Sequence, residues 1–324
     1  MISGGARALD EPAWAAVDLL IIACGCEERS SSLVRSGSIR SERTIALRFA
    51  APQNDTFKRN VLLLDAAGVA FVDDYDAFFR LRFESLVREL ILTVGRPLQI
   101  GIDVSSMNRT MIASTLVSLF SLDALIDRVS VFYLPSQFVE PAIEFPLVDQ
   151  VGAVVPELSG FDADPRLPFA LAMGLGYEYG VGAGLINQVE PRFTLCMRSV
   201  GHDSRFEDAV RRANLNFEFG PNVEVGSYNL MDPVGSYHRL ENICHGLTKN
   251  YRLVIVPLGP KLFAALSILC AIRYYGLIAL WRVVAKTSPL EAKATGQCVW
   301  FTGDISDFYP GAAARSISES LSVN

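Results

Sequence analysis

Residues that bind metal ions or form disulfides are scarce in this sequence. The chain has six cysteines and three histidines among 324 residues. No two cysteines form a C-x-x-C pair, and no cysteine–histidine cluster has zinc-site spacing. We therefore predict no metal site, and we interpret the cysteines in apolar runs as small buried hydrophobes in a reducing, cytoplasmic setting.

The sequence also lacks an excess of basic residues. Its formal net charge is −6, which excludes a broad nucleic-acid-binding surface but leaves a local basic pocket for a small anion open. The most hydrophobic stretch, Leu262–Trp281, is interrupted by Arg273 and Gly276. We therefore predict a buried helix and strand there and no contact with a membrane.

The familiar nucleotide-binding and catalytic motifs are missing. The chain has no G-x-G-x-x-G fingerprint and no G-x-x-x-x-G-K-[ST] loop, so we expect no standard dinucleotide site or P-loop and predict no cofactor. It has no G-x-S-x-G elbow, and no Ser-His-Asp arrangement can be identified. Motifs therefore identify no catalytic residue.

The first half of the chain alternates apolar strands with helices. Five apolar runs are predicted strands: Asp18–Cys24, Thr44–Phe49, Val69–Val72, Leu98–Ile102 and Arg128–Leu134. Helices are predicted between them, including one amphipathic helix over about 76–94. Fully apolar strands separated by helices are typical of a parallel sheet covered on both faces.

The second half repeats this order. Its predicted strands are Pro168–Leu175, Phe193–Met197, Val223–Val225, Leu253–Val256 and Leu277–Val284. Both second strands carry an arginine near their end, Arg48 in the first half and Arg198 in the second. The sequence thus predicts an α/β fold of two tandem Rossmann-like, mostly parallel units related by an internal repeat, although any two such domains share this order.

The repeat sets the predicted domain boundaries. We expect a first unit with an N-terminal extension over 1–150, a second unit over 151–290, and a C-terminal extension over 291–324 that ends in a frayed tail. The short apolar runs Val151–Val155 and Cys298–Thr302 could be edge strands, linkers or bridges between the units.

Polar motifs fall where strands are predicted to end, which is where open parallel sheets bind ligands. The sharpest motif runs from Asp103 to Arg109, between the fourth strand and a helix. The residues in it that could bind a ligand are Asp103, Ser105, Ser106, Asn108 and Arg109. Hydroxyls, a guanidinium and a helix N-terminus together favour an anion such as phosphate. The alternative is helix capping by Ser106 or Asn108, with a structural Asp103.

The matching loop of the second half runs from Pro257 to Lys261. Gly259 allows a close approach of the backbone, and Lys261 supplies a point charge. We predict that both face the same kind of anion. The alternative is a plain rigid turn.

The loops after the first strands carry carboxylates in both halves. The candidate ligand-binding residues are Gly25, Glu27, Arg29, Tyr177 and Glu178. A carboxylate here could hold a ribose hydroxyl or act as a base, with Glu28 as a further candidate. It could equally pair with Arg29 or Arg48.

Doubled loops of this kind resemble the CRISPR-associated Rossmann fold sensors, and more specifically their fused two-unit version, the SAVED domains. The resemblance implies binding of a cyclic or linear oligonucleotide second messenger in bacterial antiviral defence, with 103–109 and 259–261 as paired phosphate-facing loops. Such sensors carry a fused effector, for which this sequence leaves no room. A separate effector chain or a further copy of this chain would therefore be the partner.

Three functions remain open on the sequence. The first is a sensor or complex subunit that binds a nucleotide-like anion without turnover. The second is an enzyme that cleaves a glycosidic or phosphoester bond of a nucleotide or sugar phosphate in the cleft between the units. Its candidate acids and bases are Glu27, Glu28, Asp103 and Glu178. The third is a structural subunit whose sites have decayed.

Overall fold

The computed structural model describes residues 1–50, 54–285 and 292–309. The strands in this part of the chain are β1 Ser3–Ala8, β2 Ala15–Cys24, β3 Ile39–Arg48, β4 Ala70–Val72, β5 Leu98–Asp103, β6 Ile126–Tyr133, β7 Val148–Ala153, β8 Phe169–Gly174, β9 Phe193–Val200, β10 Val223–Asn229, β11 Arg252–Pro257, β12 Ile278–Ala285 and β13 Gln297–Asp304. The helices are α1 Ser32–Ser36, α2 Asp55–Ala66, α3 Tyr75–Leu81, α4 Phe83–Val94, α5 Arg109–Ser121, α6 Val181–Val189, α7 Ser204–Ala213, α8 Pro233–Leu247, α9 Lys261–Arg273 and α10 Ile305–Phe308.

The strands form one sheet in each of two compact units. The first sheet has seven strands in the order β1-β13-β6-β5-β2-β3-β4, and the five from β6 to β4 are parallel. The second sheet has six strands in the order β10-β9-β8-β11-β12-β7, and the five from β10 to β12 are parallel. Numbered within each unit, the parallel strands follow the order 3-2-1-4-5 of a Rossmann-like sheet in both. The predicted fold class is confirmed.

An antiparallel strand lies beside the fifth parallel strand of each sheet, and its origin changes the domain boundaries. In unit 2 this strand is β7, which precedes the parallel strands in the sequence; in unit 1 it is β13, which comes near the end of the chain. Unit 1 therefore comprises 1–137 and 289–324, and unit 2 comprises 138–288. The predicted boundary at 150 is too late, because β7 starts at Val148 and belongs to the second sheet. The predicted separate C-terminal extension is wrong, because β13 lies inside the first sheet, between β1 and β6. The predicted frayed tail lies outside the described residues.

Two further elements differ from the prediction. The expected single helix over 76–94 is two helices, α3 and α4, which are separated at Arg82. Phe78, Phe79 and Phe83 pack edge to face across this break, with ring centroids 5.1–5.9 Å apart, so aromatic packing compensates for the interrupted helix. Strand β1 was not predicted because its small residues have little apolar character.

The most hydrophobic stretch is α9 followed by β12, as predicted. Ten successive residues of α9, from Leu262 to Ala271, are buried, and they lie in the interior of unit 2. None of the helices within 1–50, 54–285 and 292–309 combines the length and the apolar character needed to cross a membrane.

Candidate functional site

The sheet order brings the loops after the first and fourth strands together in each unit. Strand β2 pairs with β5, and β8 pairs with β11. The chain leaves each of these pairs in opposite directions along the sheet, and such a switch point is where open α/β sheets bind ligands. The loop after β5 opens α5, and the loop after β11 opens α9, so both motifs occupy the strand ends at which we predicted them.

In unit 1 the side chains of Asp103 and Ser105 stabilise the loop after β5 from its buried side. Both are buried, with 3% and 0% exposure. The backbone N–H and the hydroxyl of Ser105 both donate to the Asp103 carboxylate, and Leu134 N–H donates to Ser105 Oγ over 2.8 Å. Asp103 thus bonds to Ser105, and Ser105 bonds to the residue after β6, so both side chains have a structural role, which for Asp103 is the alternative that the sequence left open.

Burial has an electrostatic consequence for Asp103. It raises the pKa of this carboxyl to about 6, against the opposing effect of the hydrogen bonds from Ser105 and of the Arg29 charge. A carboxyl that titrates near neutral pH would suit acid–base catalysis. However, its buried position and its bonds to Ser105 assign it to the scaffold of the loop.

Arg29 is likewise turned inward. Its guanidinium donates to the Glu27 carboxylate over 2.5 Å and to the Leu134 carbonyl over 3.0 Å, and only 7% of the residue is exposed. Burial alone would lower the pKa of Arg29, but the effects of Glu27 and Tyr133 are larger and raise it above its ordinary value. The guanidinium therefore stays charged. Arg29 was predicted as a ligand-binding residue; instead it fastens the first-strand loop to the end of β6.

The remainder of this loop is also held internally. Gly25 is buried; its N–H donates to Ser30 Oγ over 3.2 Å, and its carbonyl accepts from Asn60 Nδ2 over 3.0 Å. Glu28 lies 3.5 Å from the Lys293 ammonium. Gly25 therefore has a structural role. Glu27 pairs with Arg29, which is the alternative that the sequence left open, whereas Glu28 has Lys293 as its cationic neighbour.

The outer part of the unit 1 motif surrounds the start of α5. Asn108 caps this helix, since its Oδ1 accepts from Met111 N–H over 2.8 Å. Ser106 Oγ is buried and has no hydrogen-bond partner among the described residues. Arg109 is the first residue of α5 and is half-buried. The loop and helix start thus present a cation beside backbone N–H groups, a combination that favours anions.

In unit 2 the corresponding loops approach so closely that only glycine fits. A Cβ at Gly174 would overlap the Leu258 carbonyl, and one at Gly259 would overlap the Leu175 carbonyl. Gly259 also has a φ of +75°, which disfavours other residues. The predicted close backbone approach at Gly259 is therefore present, between two loops of the same unit.

The Glu178 carboxylate lies against this pair of loops. A Cβ at Gly176 would overlap it, and the same position is 3.0 Å from the Gly259 nitrogen. Tyr177, by contrast, packs its ring on the unit 2 core. Of the two predicted side chains in this loop, Glu178 is therefore the one at the loop junction.

Two helix starts in unit 2 lack side-chain caps. Lys261 begins α9 behind Pro260, and Gly180, with a φ of +73°, precedes α6. Gly174, Gly176 and Gly180 form the spacing G-x-G-x-x-x-G, one residue longer than the standard fingerprint. Gly174 and Gly180 were not among the predicted site residues, and this spacing was the signal that could have identified them.

The structure places no group of three or more His, Cys, Asp or Glu side chains at metal-binding distance within the described ranges.

No protein-family model matches the sequence, and no curated protein matches it. Among solved structures, a universal stress protein from Archaeoglobus fulgidus matches with 11% identity and a TM-score of 0.24, covering 82% of this chain and 95% of that one. Leucoanthocyanidin reductase from Vitis vinifera, solved with NADPH, matches with 8% identity and a TM-score of 0.25, covering 95% and 99%. Because these scores are low, the class is defined by the sheet order: an α/β protein with two Rossmann-like units.

Proposed function

We propose that the protein is a sensor or complex subunit that binds a nucleotide-derived anion at these strand ends and passes the signal to a separate effector chain. One observation carries the proposal. In both units, the helix that follows the fourth strand begins with a cationic residue, Arg109 in α5 and Lys261 in α9. Both positions are next to the switch point of a Rossmann-like sheet.

The chemistry of these positions suits phosphate oxygens. The N-terminus of a helix carries partial positive charge and backbone N–H groups outside the helical hydrogen-bond pattern, so it attracts anions even where no catalytic side chain is present. A guanidinium adds bidentate hydrogen bonds, whereas an ammonium adds a point charge. Each unit thus carries one cationic helix start that suits a phosphate group, as the resemblance to SAVED sensors implies.

The state of the carboxylates favours binding over turnover. Three of the four candidate acids and bases already have partners within unit 1: Glu27 pairs with Arg29, Glu28 lies near Lys293, and Asp103 is buried against Ser105. A general base must be within hydrogen-bond reach of its substrate. This arrangement supports a receptor for the anion over an enzyme that uses these residues.

Calorimetric titration with cyclic and linear triadenylate tests the proposal. We expect Arg109→Ala to weaken binding by roughly 1.5–3 kcal/mol, or about tenfold to a hundredfold, through loss of a charge-assisted contact. Lys261→Ala should cost less, since its ammonium offers no bidentate fork. Arg88→Ala is the control, because this exposed arginine of α4 pairs with Glu84 and lies on a helix outside both motifs.

Two results would refute the proposal. Failure of both triadenylates and of pyrophosphate to bind the wild-type chain would remove the anion site. Rapid multiple turnover by the isolated chain, abolished in Glu178→Gln while affinity persists, would replace the sensor with an enzyme. Mass spectrometry of nucleotides that co-purify with the protein would identify the natural ligand class.

A further inference from the structure

Unit 2 contains a pocket of about 270 Å³ beside the glycine-rich loop. One face of α6 lines it, with Val181, Gly184, Leu185 and Gln188 at helical spacing. The opposite wall comes from Val283 of β12 and Val151 of β7, which belong to the same apolar core. The pocket therefore opens where α6 stops short of covering the last two strands of the sheet.

Two aromatic rings line this pocket. Phe145 and Tyr179 both line it, and their ring centroids lie 5.9 Å apart at 64°. Phe145 is 76% exposed, an unusual position for a large apolar ring. Among the described lining residues Gln188 supplies an amide and Tyr179 a hydroxyl, and none is charged. The pocket thus offers apolar walls, π faces, one amide and one phenol hydroxyl.

The internal repeat shows what occupies the same place in unit 1. Aligning the G-x-E motif of unit 1, Gly25–Glu27, with that of unit 2, Gly176–Glu178, places Ile21 of the first strand on Ala172. The residues that pair with these two across the fourth and fifth strands then also correspond. The two rows of paired residues are Ile21, Ile102 and Val131 in unit 1, and Ala172, Ile255 and Leu280 in unit 2. Counted from the rows, Gly180 corresponds to Arg29, and Val283 corresponds to Leu134. Arg48 and Arg198 also coincide, which supports the alignment.

Unit 1 fills this place with its own side chain. The Arg29 guanidinium reaches the Leu134 carbonyl and lies 6.0 Å from the centre of the Tyr133 ring. In unit 2 the residues that correspond to Arg29 and Leu134 are Gly180 and Val283, and both line the pocket. Since Gly180 has no side chain, the planar group that closes unit 1 is missing from unit 2, and the pocket remains open.

We infer that this pocket binds the nucleobase of the ligand, an inference that rests on the proposed function. A base is flat and aromatic, so it matches the shape of the guanidinium that occupies unit 1 and the rings of Phe145 and Tyr179. Its edge offers donors and acceptors to Gln188. A cation is a poorer occupant: Arg29 has Glu27 as its partner, whereas the corresponding Glu178 lies against Gly176 and does not line the pocket.

Filling the pocket tests the inference. Gly184 is exposed on α6, and a Cβ there meets no atom within 4 Å, so Gly184→Leu adds bulk to the pocket without backbone strain. Gly246→Leu is the matched control, because Gly246 lies on α8 and is equally exposed and open. We expect Gly184→Leu to weaken adenosine binding, measured by saturation-transfer NMR on the full chain, by at least about tenfold. Gly246→Leu should bind as the wild type does.

A second pair of variants removes the dependence on one substitution. Phe145→Ala should weaken adenosine binding by about three- to tenfold through loss of ring contact. Leu147→Ala is its control, since this side chain is equally exposed but does not line the pocket. Thermal melts of all four variants identify any loss of folding.

The outcomes separate the pocket from the anion site. Adenosine that fails to bind, or that binds equally to the wild type and Gly184→Leu, overturns the inference. N-acetyl-tryptophanamide binding in its place would also overturn it, because the pocket would then accept a protein side chain. If adenosine behaves as expected but pyrophosphate does not bind, the pocket stands and the proposed anion site fails.

Discussion

Replacing Asp103 by asparagine should reveal the cost of its burial through the pH dependence of stability. Burial raises the pKa of this carboxyl from 3.8 to about 6 in the folded chain. A group whose folded pKa is raised stabilises the fold below the unfolded pKa and loses that contribution as pH rises through the folded pKa. Wild-type stability should therefore fall between about pH 3.8 and pH 6 from this group.

The magnitude follows from the size of the shift. A pKa difference of about two units corresponds to roughly 3 kcal/mol once Asp103 is fully ionised. Asparagine cannot ionise, but its carbonyl can still accept the hydrogen bonds from Ser105. The stability of Asp103→Asn relative to the wild type should therefore rise by about 2–3 kcal/mol between pH 4 and pH 8.

Urea unfolding of both proteins at a series of pH values measures this difference. Asp73→Asn is the control with the opposite sign: Arg48 holds the pKa of the exposed Asp73 below its usual value. That pair contributes stability above the unfolded pKa and loses it as pH falls, so the relative stability of Asp73→Asn should decline as pH rises. A difference in stability between Asp103→Asn and the wild type that does not depend on pH would refute the burial argument. Asp103 would then again be a candidate ligand-binding residue.

Other parts of the structure can be tested by unfolding measurements. Gly259→Ala should destabilise the chain by more than about 1 kcal/mol, because alanine is strained at positive φ and its Cβ overlaps the Leu175 carbonyl; Gly246→Ala, in a helix with open space, should instead stabilise by up to about 1 kcal/mol. Phe301→Ala should cost about 3–5 kcal/mol, since this ring of β13 is fully buried; a cost below about 1 kcal/mol would contradict the place of β13 in the first sheet.

The parallel strands could be predicted because both faces of each sheet are covered. Strands such as Leu253–Val256 are continuous apolar runs between helices, and this pattern has few other solutions. The sheet partners of the antiparallel strands could not be predicted. Strand β13 joins the sheet of a unit whose first segment ends more than 150 residues earlier, and a short apolar run does not encode such a distant partner.

The position of the site was predicted, but the roles of its residues were predicted only in part. The sheet order guarantees that 103–109 and 257–261 lie at strand ends, so their location follows from the topology. Whether a polar side chain there faces solvent or the interior depends on backbone groups that need a partner. The end of β6 leaves both the N–H and the carbonyl of Leu134 to be satisfied, and Ser105 and Arg29 satisfy them. Residue type alone cannot distinguish this use from ligand binding.

The same comparison explains why two units of one plan need not bind equally. Arg29 closes unit 1 at a cost in burial that its bonds to Glu27 and Leu134 offset. At the corresponding position Gly180 requires no such compensation, and the space that it leaves is bounded by Val283 and Tyr179. The base pocket is therefore a feature of unit 2, whereas each unit has its own cationic helix start. On the proposed function, Gly184→Leu should therefore reduce affinity for triadenylate without reducing affinity for pyrophosphate.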